Sequence, residues 1–329
     1  MNIIEIAKLA GVSKSTVSRY LNDGYVSAEN RVKIQDVIKS TGYIPLRQAK
    51  TLRTKKTNLI GVIVPKISTE TTSRVIEGIS DEISKCGYDL LIANTNLNIN
   101  KEMEYLNILK NQVDGIIFMA TKITDKHIKI MEEIDIPIVV VSQNIKEYPS
   151  IYYDDYNASK DVVEQLLING YEKIAFIGVY EDDIAVGYER KRGYINALEE
   201  NKIKLNEKLI QIGDFSMESG YKLCKRLMED NEKPDAIFAT TDNIAVGAIE
   251  YLLEAGYKIP KHIGIWSIGD SKISRVVTPK LNTVHYYYKT SGKNSGEIIM
   301  SLINNNVKSS KNVDKKFKLG YRLITRDSI

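Results

Sequence analysis

A chain of 329 residues is too long for one hydrophobic core, and 43% hydrophobic with 27% charged residues is the composition of a globular protein of two or three domains. No apolar run approaches the roughly twenty residues that span a membrane, and the N-terminus lacks the apolar segment of a signal peptide. We therefore expect a cytoplasmic protein that binds no membrane. The two cysteines, Cys86 and Cys224, are too few for a disulfide framework or a metal-ligand cluster.

Positive charge is concentrated at the N-terminus. Residues 1–58 carry eleven Lys and Arg against four Asp and Glu, a balance of +7, whereas the remainder carries 35 against 38, a balance of −3. A cationic segment of this kind favours contact with the phosphates of a nucleic acid. The rest of the chain has no charge-based reason to bind a polyanion.

Two short helices separated by a glycine are predicted at the N-terminus. Apolar residues recur with helical spacing from Ile3 to Ala10, and Asn2 with Glu5 is a predicted capping pair. Gly11 then ends the first helix. Two helices joined by a tight turn that contains glycine are typical of a helix-turn-helix module.

The second of these helices has one face that suits a DNA groove. Ser13 is its predicted cap, and Val17, Tyr20 and Leu21 form its inward face. The opposite face carries short or cationic side chains, namely Lys14, Ser15, Ser18 and Arg19. An ordinary amphipathic helical hairpin with a solvated polar face is the alternative that this pattern leaves open.

A third helix and a short connecting segment follow. An apolar face of Val32, Ile34 and Ile38 predicts a helix that ends near Gly42. The next stretch, LRQAKTLR at residues 46–53, has helix propensity but is short and lacks a broad apolar face, so that alone in water it should be mostly unfolded. By composition it is a flexible interdomain linker.

Beyond Thr57 the pattern alternates strand and helix. Short apolar runs without polar alternation, each followed by a segment of helical period, predict buried parallel strands in two doubly wound sheets. The predicted strands are Leu59–Val64, Asp89–Ala93, Gly115–Met119, Pro137–Val141, Lys173–Ile177, Ala236–Ala239 and Gly264–Ile268. A break in this rhythm at 150–157 and late strand-like stretches at 281–285 and 317–323 predict two lobes with chain crossings between them.

The chain offers no recognisable catalytic or cofactor-binding set. It lacks a GxGxxG turn after a strand, a GxxxxGK[ST] loop and a GxSxG elbow. His127, His262 and His285 are far apart, with no Cys or carboxylate at metal-ligand spacing. We therefore expect neither an enzyme nor a bound cofactor or metal.

The N-terminal motifs resemble a known family. The run AGVS, followed by TVSR and LN, then Val26-Ser27 and YIP at residues 43–45, is similar to the headpiece of the lactose/galactose repressor family of bacterial transcription regulators. The resemblance implies a sequence-specific DNA-binding regulator that acts as a homodimer on operator DNA. It also implies a hinge helix at residues 46–53 that forms on DNA, with Leu52 entering the minor groove and Ala49 one turn before it. The predicted DNA-contacting residues are Ile3, Ser13, Lys14, Ser15, Ser18, Arg19, Asn22, Tyr25, Ala49 and Leu52.

For the larger part of the chain the family implies the architecture of periplasmic sugar-binding proteins, with a small-molecule effector between two lobes. Arg190 corresponds to the arginine that grips the effector, Phe215 to an aromatic residue that stacks on a sugar, and Asp242 to an acidic residue at a strand end. From the residues alone, each has an ordinary alternative: a surface cation, a core residue and a helix cap.

Three further effector contacts are predicted with departures from the family pattern. Gly269-Asp270 stands where an aspartate pair is common, so one acidic contact is expected either to be missing or to move to Asp270. Tyr286 stands where glutamine is common, and its aromatic run is either a stacking wall or a packed turn, with packing slightly favoured. Gln143 lies at the end of a first-lobe strand. A glutamine at this place, together with the tyrosine-rich run and the KTSG that follows it, is similar to the pattern in repressors of sucrose and trehalose operons.

The resulting domain prediction is a three-helix domain at 1–45, a hinge at 46–57, and an effector-binding and dimerisation domain at 58–329 with crossings near 150–157, 285–288 and 316–320. The predicted function is a repressor of a sugar-utilisation operon, controlled by a sugar or sugar phosphate. The alternatives are a soluble sugar-binding protein and a DNA-binding regulator that uses a phosphoprotein co-repressor.

Overall fold

The computed structural model describes residues 1–22, 24–43 and 56–329. The chain divides into two compact units, Met1–Thr57 and Asn58–Ile329. Most of the predicted hinge, including Ala49 and Leu52, lies outside the described residues. The two units are described one after the other.

The described residues of the first unit form three helices, α1 (Ile3–Leu9), α2 (Lys14–Tyr20) and α3 (Ala28–Thr41). The predicted capping pair is present, because the Asn2 side chain accepts from the Glu5 amide at 3.1 Å and the Glu5 carboxylate accepts from the Asn2 amide at 2.9 Å. Gly11 has a φ of +63°, which allows the sharp turn between α1 and α2. Ser13 caps α2 by accepting from the Thr16 amide at 3.1 Å.

The core of this unit forms around Ile6, Val17 and Ile34, which are fully buried. The predicted inward position of Val32 is wrong, since Val32 is 56% exposed and Val37 packs against the core instead. Two residues along a helix rotate a side chain by about 200°, so Val32 cannot share a face with Ile34.

The second unit contains two six-stranded sheets, as predicted for two doubly wound lobes. Their strands are β1 (Leu59–Val64), β2 (Asp89–Asn94), β3 (Gly115–Met119), β4 (Ile138–Val141), β5 (Ser150–Tyr153), β6 (Ile174–Val179), β7 (Ile210–Gly213), β8 (Ala236–Ala239), β9 (Gly264–Ile268), β10 (Asn282–Tyr286), β11 (Lys316–Leu319) and β12 (Tyr321–Ile324). The first sheet has the order β2-β1-β3-β4-β5-β11 and is parallel throughout. The second has the order β7-β6-β8-β9-β10-β12, with only β12 antiparallel.

Helices cover both sheets because the central strands are apolar on both faces. They are α4 (Glu70–Ile83), α5 (Ile99–Leu109), α6 (Asp125–Glu132), α7 (Asp155–Ile168), α8 (Arg190–Glu200), α9 (Met217–Glu229), α10 (Asp242–Glu254), α11 (Lys272–Val276) and α12 (Tyr288–Asn304), with a π-helical turn at Ile184–Glu189 before α8.

The chain passes between the sheets three times, from β5 to α7, from β10 to α12, and from β11 to β12. The predicted strand at 317–323 is in fact two strands, because the chain leaves one sheet at Gly320 and joins the other. Helix α12 returns to the first lobe and packs closely on α4. A Cβ at Gly78 would lie 2.1 Å from the Lys289 carbonyl oxygen and one at Gly292 2.0 Å from that of Val75, so glycine is required where these helices cross.

Candidate functional site

The exposed face of α2 carries the residues predicted to contact DNA bases. Lys14, Ser15 and Arg19 are exposed, whereas Ser18 is half-buried. The Ser13 hydroxyl lies 2.7 Å from that of Ser15, so the two hydroxyls are linked at the start of the helix. The side of α2 that faces away from the core therefore presents cationic and hydroxyl donors, which is the chemistry that base edges and phosphates accept.

Three other predicted DNA contacts lie around this face in different environments. Ile3 is half-buried and packs on the helical core. The Asn22 amide donates to the Ser18 carbonyl at 2.5 Å and so closes the end of α2. Tyr25 is 87% exposed, which leaves its ring and hydroxyl accessible to a partner. Of the three, Tyr25 has the environment that best fits a direct contact.

A cavity of about 480 Å³ lies between the two lobes of the second unit, at the ends of their strands. Four of the six predicted effector residues line it, namely Gln143, Arg190, Phe215 and Asp242. Gln143 comes from the first lobe, and its amide donates to the Thr121 carbonyl at 2.9 Å. Phe215 is half-buried against the second-lobe core and presents the rest of its ring to the cleft.

Arg190 is buried at the start of α8 and is held on several sides. Its Nε and one terminal nitrogen lie 2.7 Å from Oδ1 of Asp155, its other terminal nitrogen donates to the Thr240 carbonyl, and its guanidinium lies 5.6 Å from the ring centre of Tyr286. Burial alone would lower the pKa of Arg190, but Asp155 raises it above the ordinary value. The guanidinium is thus a fixed cation whose orientation is set before any ligand arrives.

Asp242 lines the cleft, yet its carboxylate is engaged within the protein. Oδ1 accepts from the hydroxyls of Ser267 at 2.6 Å and Thr283 at 2.7 Å, and Oδ2 accepts from the amide of Ser271 at 2.7 Å and its hydroxyl at 2.6 Å. Four bonds occupy about all the acceptor sites of a carboxylate. This arrangement fixes the loop after β9 and leaves Asp242 little capacity for a ligand.

The two remaining predicted effector residues lie outside the cleft lining. Asp270 is buried, with Arg275 at 2.8 Å, His285 at 2.8 Å and Arg326 around its carboxylate. Burial would raise the pKa of Asp270, but the hydrogen bonds from these three side chains hold it below the ordinary value. Tyr286 is buried behind Arg190 and packs on Tyr153 with ring centres 5.1 Å apart, which corresponds to the packing alternative.

The structure adds two acidic residues and one aromatic residue that the sequence did not single out, and it also brings in Tyr288 from the aromatic run that begins at Tyr286. Asp155 and Asp183 line the cleft beside Arg190, and Tyr153 and Tyr288 line it from the crossing segments. Asp155 lies two residues after the end of β5, so its position near a strand end was the available signal. Its approach to Arg190 depends on how α7 and α8 pack in the second lobe.

Two sets of contacts join the lobes at the cleft. On one side Glu70 of α4 accepts from the Lys272 amide at 2.8 Å, and Arg74 donates to the Asp270 carbonyl at 3.0 Å. At another point the Ile184 amide donates to the Thr121 carbonyl at 3.1 Å, and a Lys122–Asp182 pair is 3.3 Å apart. The lobes are therefore held together directly as well as through the three crossings.

Replacing both Glu70 and Arg74 with alanine is expected to favour an open arrangement of the lobes and to weaken ligand binding by up to about thirtyfold, since two lost bonds of about 1 kcal/mol each sum to about 2 kcal/mol. Small-angle scattering should show a larger radius of gyration without ligand. Glu77→Ala on the same helix, whose partner Lys289 at 2.5 Å is on α12 of the same lobe, is the matched control. An unchanged radius and ligand affinity in the double variant would contradict this role of the contacts.

Replacing Asp183 with asparagine is expected to stabilise the second unit near pH 7 by about 1–3 kcal/mol and to have little effect near pH 4. Burial raises the pKa of Asp183 from 3.8 to about 6. The folded state therefore keeps a proton that the unfolded state has lost, and stability falls as pH rises from about 4 to 6. Asparagine stays neutral and retains the acceptor that caps the Val186 amide at 2.9 Å.

Urea unfolding between pH 4 and 8 measures this effect. Asp182→Asn, at a neighbouring exposed carboxylate, is the control and should change little. If the free energy of unfolding depended on pH identically in wild type and Asp183→Asn, the ionised Asp183 carboxylate would not be destabilising.

The comparisons with known proteins cover both units. Residues 2–46 match the family described as bacterial regulatory proteins, lacI family, and residues 163–329 match a periplasmic binding protein-like domain. The sucrose operon repressor of Staphylococcus xylosus is 35% identical over 93% of this chain and 95% of its own. The catabolite control protein A of Priestia megaterium is 31% identical over 99% of each chain.

The chain belongs to the lacI family of bacterial regulatory proteins. The solved Lac repressor dimer bound to operator and the anti-inducer ONPF shares the fold, with a TM-score of 0.88 at 22% identity over 100% of this chain and 98% of that one. As a lacI-family protein this chain is a DNA-binding transcription regulator with two ligand-binding lobes.

Membership in the lacI family separates the chain from a binding protein that lacks a DNA-binding domain, and its curated relatives are transcription regulators rather than enzymes. Among residues 1–22, 24–43 and 56–329, no helix has the length and apolar character to cross a membrane. Within the same described ranges, no group of three or more His, Cys, Asp or Glu side chains is placed to hold a metal ion.

Proposed function

We propose that this regulator is a cytoplasmic repressor of a sugar-utilisation operon, that it binds its operator as a homodimer, and that a sugar in the cleft changes its operator affinity. It is not an enzyme and needs no cofactor. The observation that carries the proposal is Arg190, a buried and fixed cation in a cleft of about 480 Å³, in a chain that also has a helix-turn-helix unit. Cavities of about 300–1,000 Å³ are typical of small-molecule sites.

A sucrose-like disaccharide is the proposed effector. The sucrose operon repressor is the relative with 35% identity, and a solved structure with the same fold and 22% identity is described as a transcriptional regulator CelR–cellobiose complex. Within the cleft, Arg190 offers paired donors for neighbouring hydroxyls, and Phe215, Tyr153 and Tyr288 offer ring faces for the C–H surface of a sugar.

Calorimetry with sucrose, trehalose, cellobiose and their phosphates tests the effector, and operator binding with and without the best ligand tests the coupling. The operator is first selected from random DNA with the full chain. We expect one disaccharide to bind and to change operator affinity at least fivefold. Ligand binding that leaves operator affinity unchanged would contradict control by the cleft.

The second candidate function is a regulator that uses a phosphoprotein co-repressor. The 31% identity to catabolite control protein A over 99% of each chain supports this second candidate. It predicts that the operator affinity of the purified regulator responds to no sugar alone and rises when a phosphorylated partner protein is added.

A further inference from the structure

Only one oxygen of the Asp155 carboxylate accepts hydrogen bonds from other side chains that the structure describes. Among the described residues, Oδ1 accepts from two nitrogens of Arg190 at 2.7 Å and from the Tyr286 hydroxyl at 3.2 Å. The other oxygen, Oδ2, receives none of these bonds. The Asp155 side chain keeps 5% of its surface exposed, and the residue lines the cleft.

The Arg190 guanidinium likewise has N–H donors that bind no acceptor in the described part of the chain. A guanidinium has five N–H donors. One on Nε and one on a terminal nitrogen go to Asp155, and one on the other terminal nitrogen goes to Thr240. Two donors, one on each terminal nitrogen, therefore remain, on a guanidinium that lines the cleft together with Asp155.

We infer that Asp155 is a specificity-determining residue of the cleft, whose Oδ2 accepts a hydrogen bond from an effector hydroxyl while the neighbouring N–H groups of Arg190 donate to the effector. This inference rests on the proposed function and names the ligand group that the site selects. A hydroxyl both donates and accepts, so adjacent hydroxyls of a neutral sugar match a carboxylate oxygen placed next to guanidinium donors. A phosphate or carboxylate offers only acceptors and would face Asp155 unfavourably.

The charge of the surrounding wall supports a neutral ligand group at this point. Asp183 lines the same wall and interacts electrostatically with both Arg190 and Asp155. Two carboxylates thus act on one guanidinium, so this part of the wall has more acceptor charge than donor charge. Hydroxyl donors complement that excess, whereas an anion at the same point adds like charge.

The test compares wild type with Asp155→Asn in calorimetric titrations with sucrose and a set of monodeoxy sucroses. Asparagine has nearly the shape of aspartate, but its amide group replaces one carboxylate oxygen with a donor. We expect Asp155→Asn to weaken sucrose binding about ten- to a hundredfold. For the one monodeoxy sucrose that lacks the contacted hydroxyl, the two proteins should bind with equal affinity.

The neighbouring Asp154→Asn is the matched control, since Asp154 pairs with Lys318 at 2.6 Å and does not line the cleft. Its sucrose affinity should equal that of wild type. If Asp155→Asn does not fold, Asp155→Glu keeps the charge opposite Arg190 while displacing the acceptor. The same pattern across the monodeoxy sucroses is expected for it.

Two results would overturn the inference while leaving the proposed function intact. One is an equal sucrose affinity of wild type and the Asp155 variant. The other is an equal loss for every monodeoxy sucrose, which would show that Asp155 only positions Arg190. Failure of the proposed effector is a separate outcome, recognised because wild type itself binds no sucrose, and it would also remove the basis of the inference.

Discussion

Arg190→Ala and Arg190→Lys are both expected to weaken sugar binding by about ten- to a hundredfold. Operator binding in the absence of sugar should persist in both variants. Alanine removes every donor that Arg190 presents to the cleft, and lysine replaces the planar fork with a single ammonium that cannot serve two hydroxyls in the same geometry. Calorimetry with sucrose and operator titrations with and without sucrose measure the two effects. The expected phenotype is a regulator that occupies its operator and no longer responds to sugar.

Stability separates the two Arg190 variants. Removing one partner of the buried pair leaves Asp155 with an uncompensated charge, so Arg190→Ala should lower the free energy of unfolding by about 3–5 kcal/mol. Lysine keeps a cation near Asp155 and should cost less. Arg192 lies on the same helix as Arg190, and Arg192→Ala is the control, since it removes an exposed guanidinium 4.5 Å from the ring centre of Tyr156 on α7. Wild-type sugar affinity in Arg190→Lys and Arg190→Ala would show that the effector binds elsewhere.

Arg19→Ala is expected to weaken operator binding by about 1–3 kcal/mol for each base contact and to relax specificity at one base pair in each half-site. Arg19 is exposed on the outer face of α2, where its guanidinium can donate two bonds to a guanine. Titrations with the selected operator, with single-base variants of it and with random DNA measure both effects. A dimer that uses Arg19 in both half-sites should lose roughly twice the free energy.

Lys33→Ala removes an exposed cation from α3, where Lys33 pairs with Glu29 at 2.7 Å, and is the control for a general loss of positive charge. It should change specific and random DNA binding little and by similar factors. A base-reading role for Arg19 would be contradicted if Arg19→Ala weakened the operator and random DNA equally.

The N-terminal unit was largely predictable because its signals are local. The Asn2–Glu5 capping pair, the positive φ at Gly11 and the Ser13 cap each act over three or four residues, and a sequence displays that spacing directly. Val32 is the exception, because an apolar residue two positions before Ile34 lies on the opposite side of the helix. The buried strands were similarly predictable, since a strand covered on both faces must be apolar along its whole length.

The cleft was only partly predictable because it is assembled from residues far apart in the chain. The sequence and its family resemblance placed Gln143, Arg190, Phe215 and Asp242 at strand ends, and parallel strands bring such ends together at one edge of a sheet. The position of a residue at a strand end does not predict which way its side chain points or which protein groups it binds. Asp242 is occupied by four internal bonds, and Asp270 and Tyr286 lie behind the cleft wall.

The sequence by itself determined the three N-terminal helices, most of the buried strands and the family of this regulator, because hydrophobic period, capping residues and motif spacing are properties of short segments. Only the tertiary structure decided which polar groups face the ligand. Asp155 precedes Arg190 by 35 residues, and its carboxylate meets the guanidinium at 2.7 Å because α7 and α8 pack side by side in the second lobe. A buried charge must find a partner, and the packing of distant elements selects that partner.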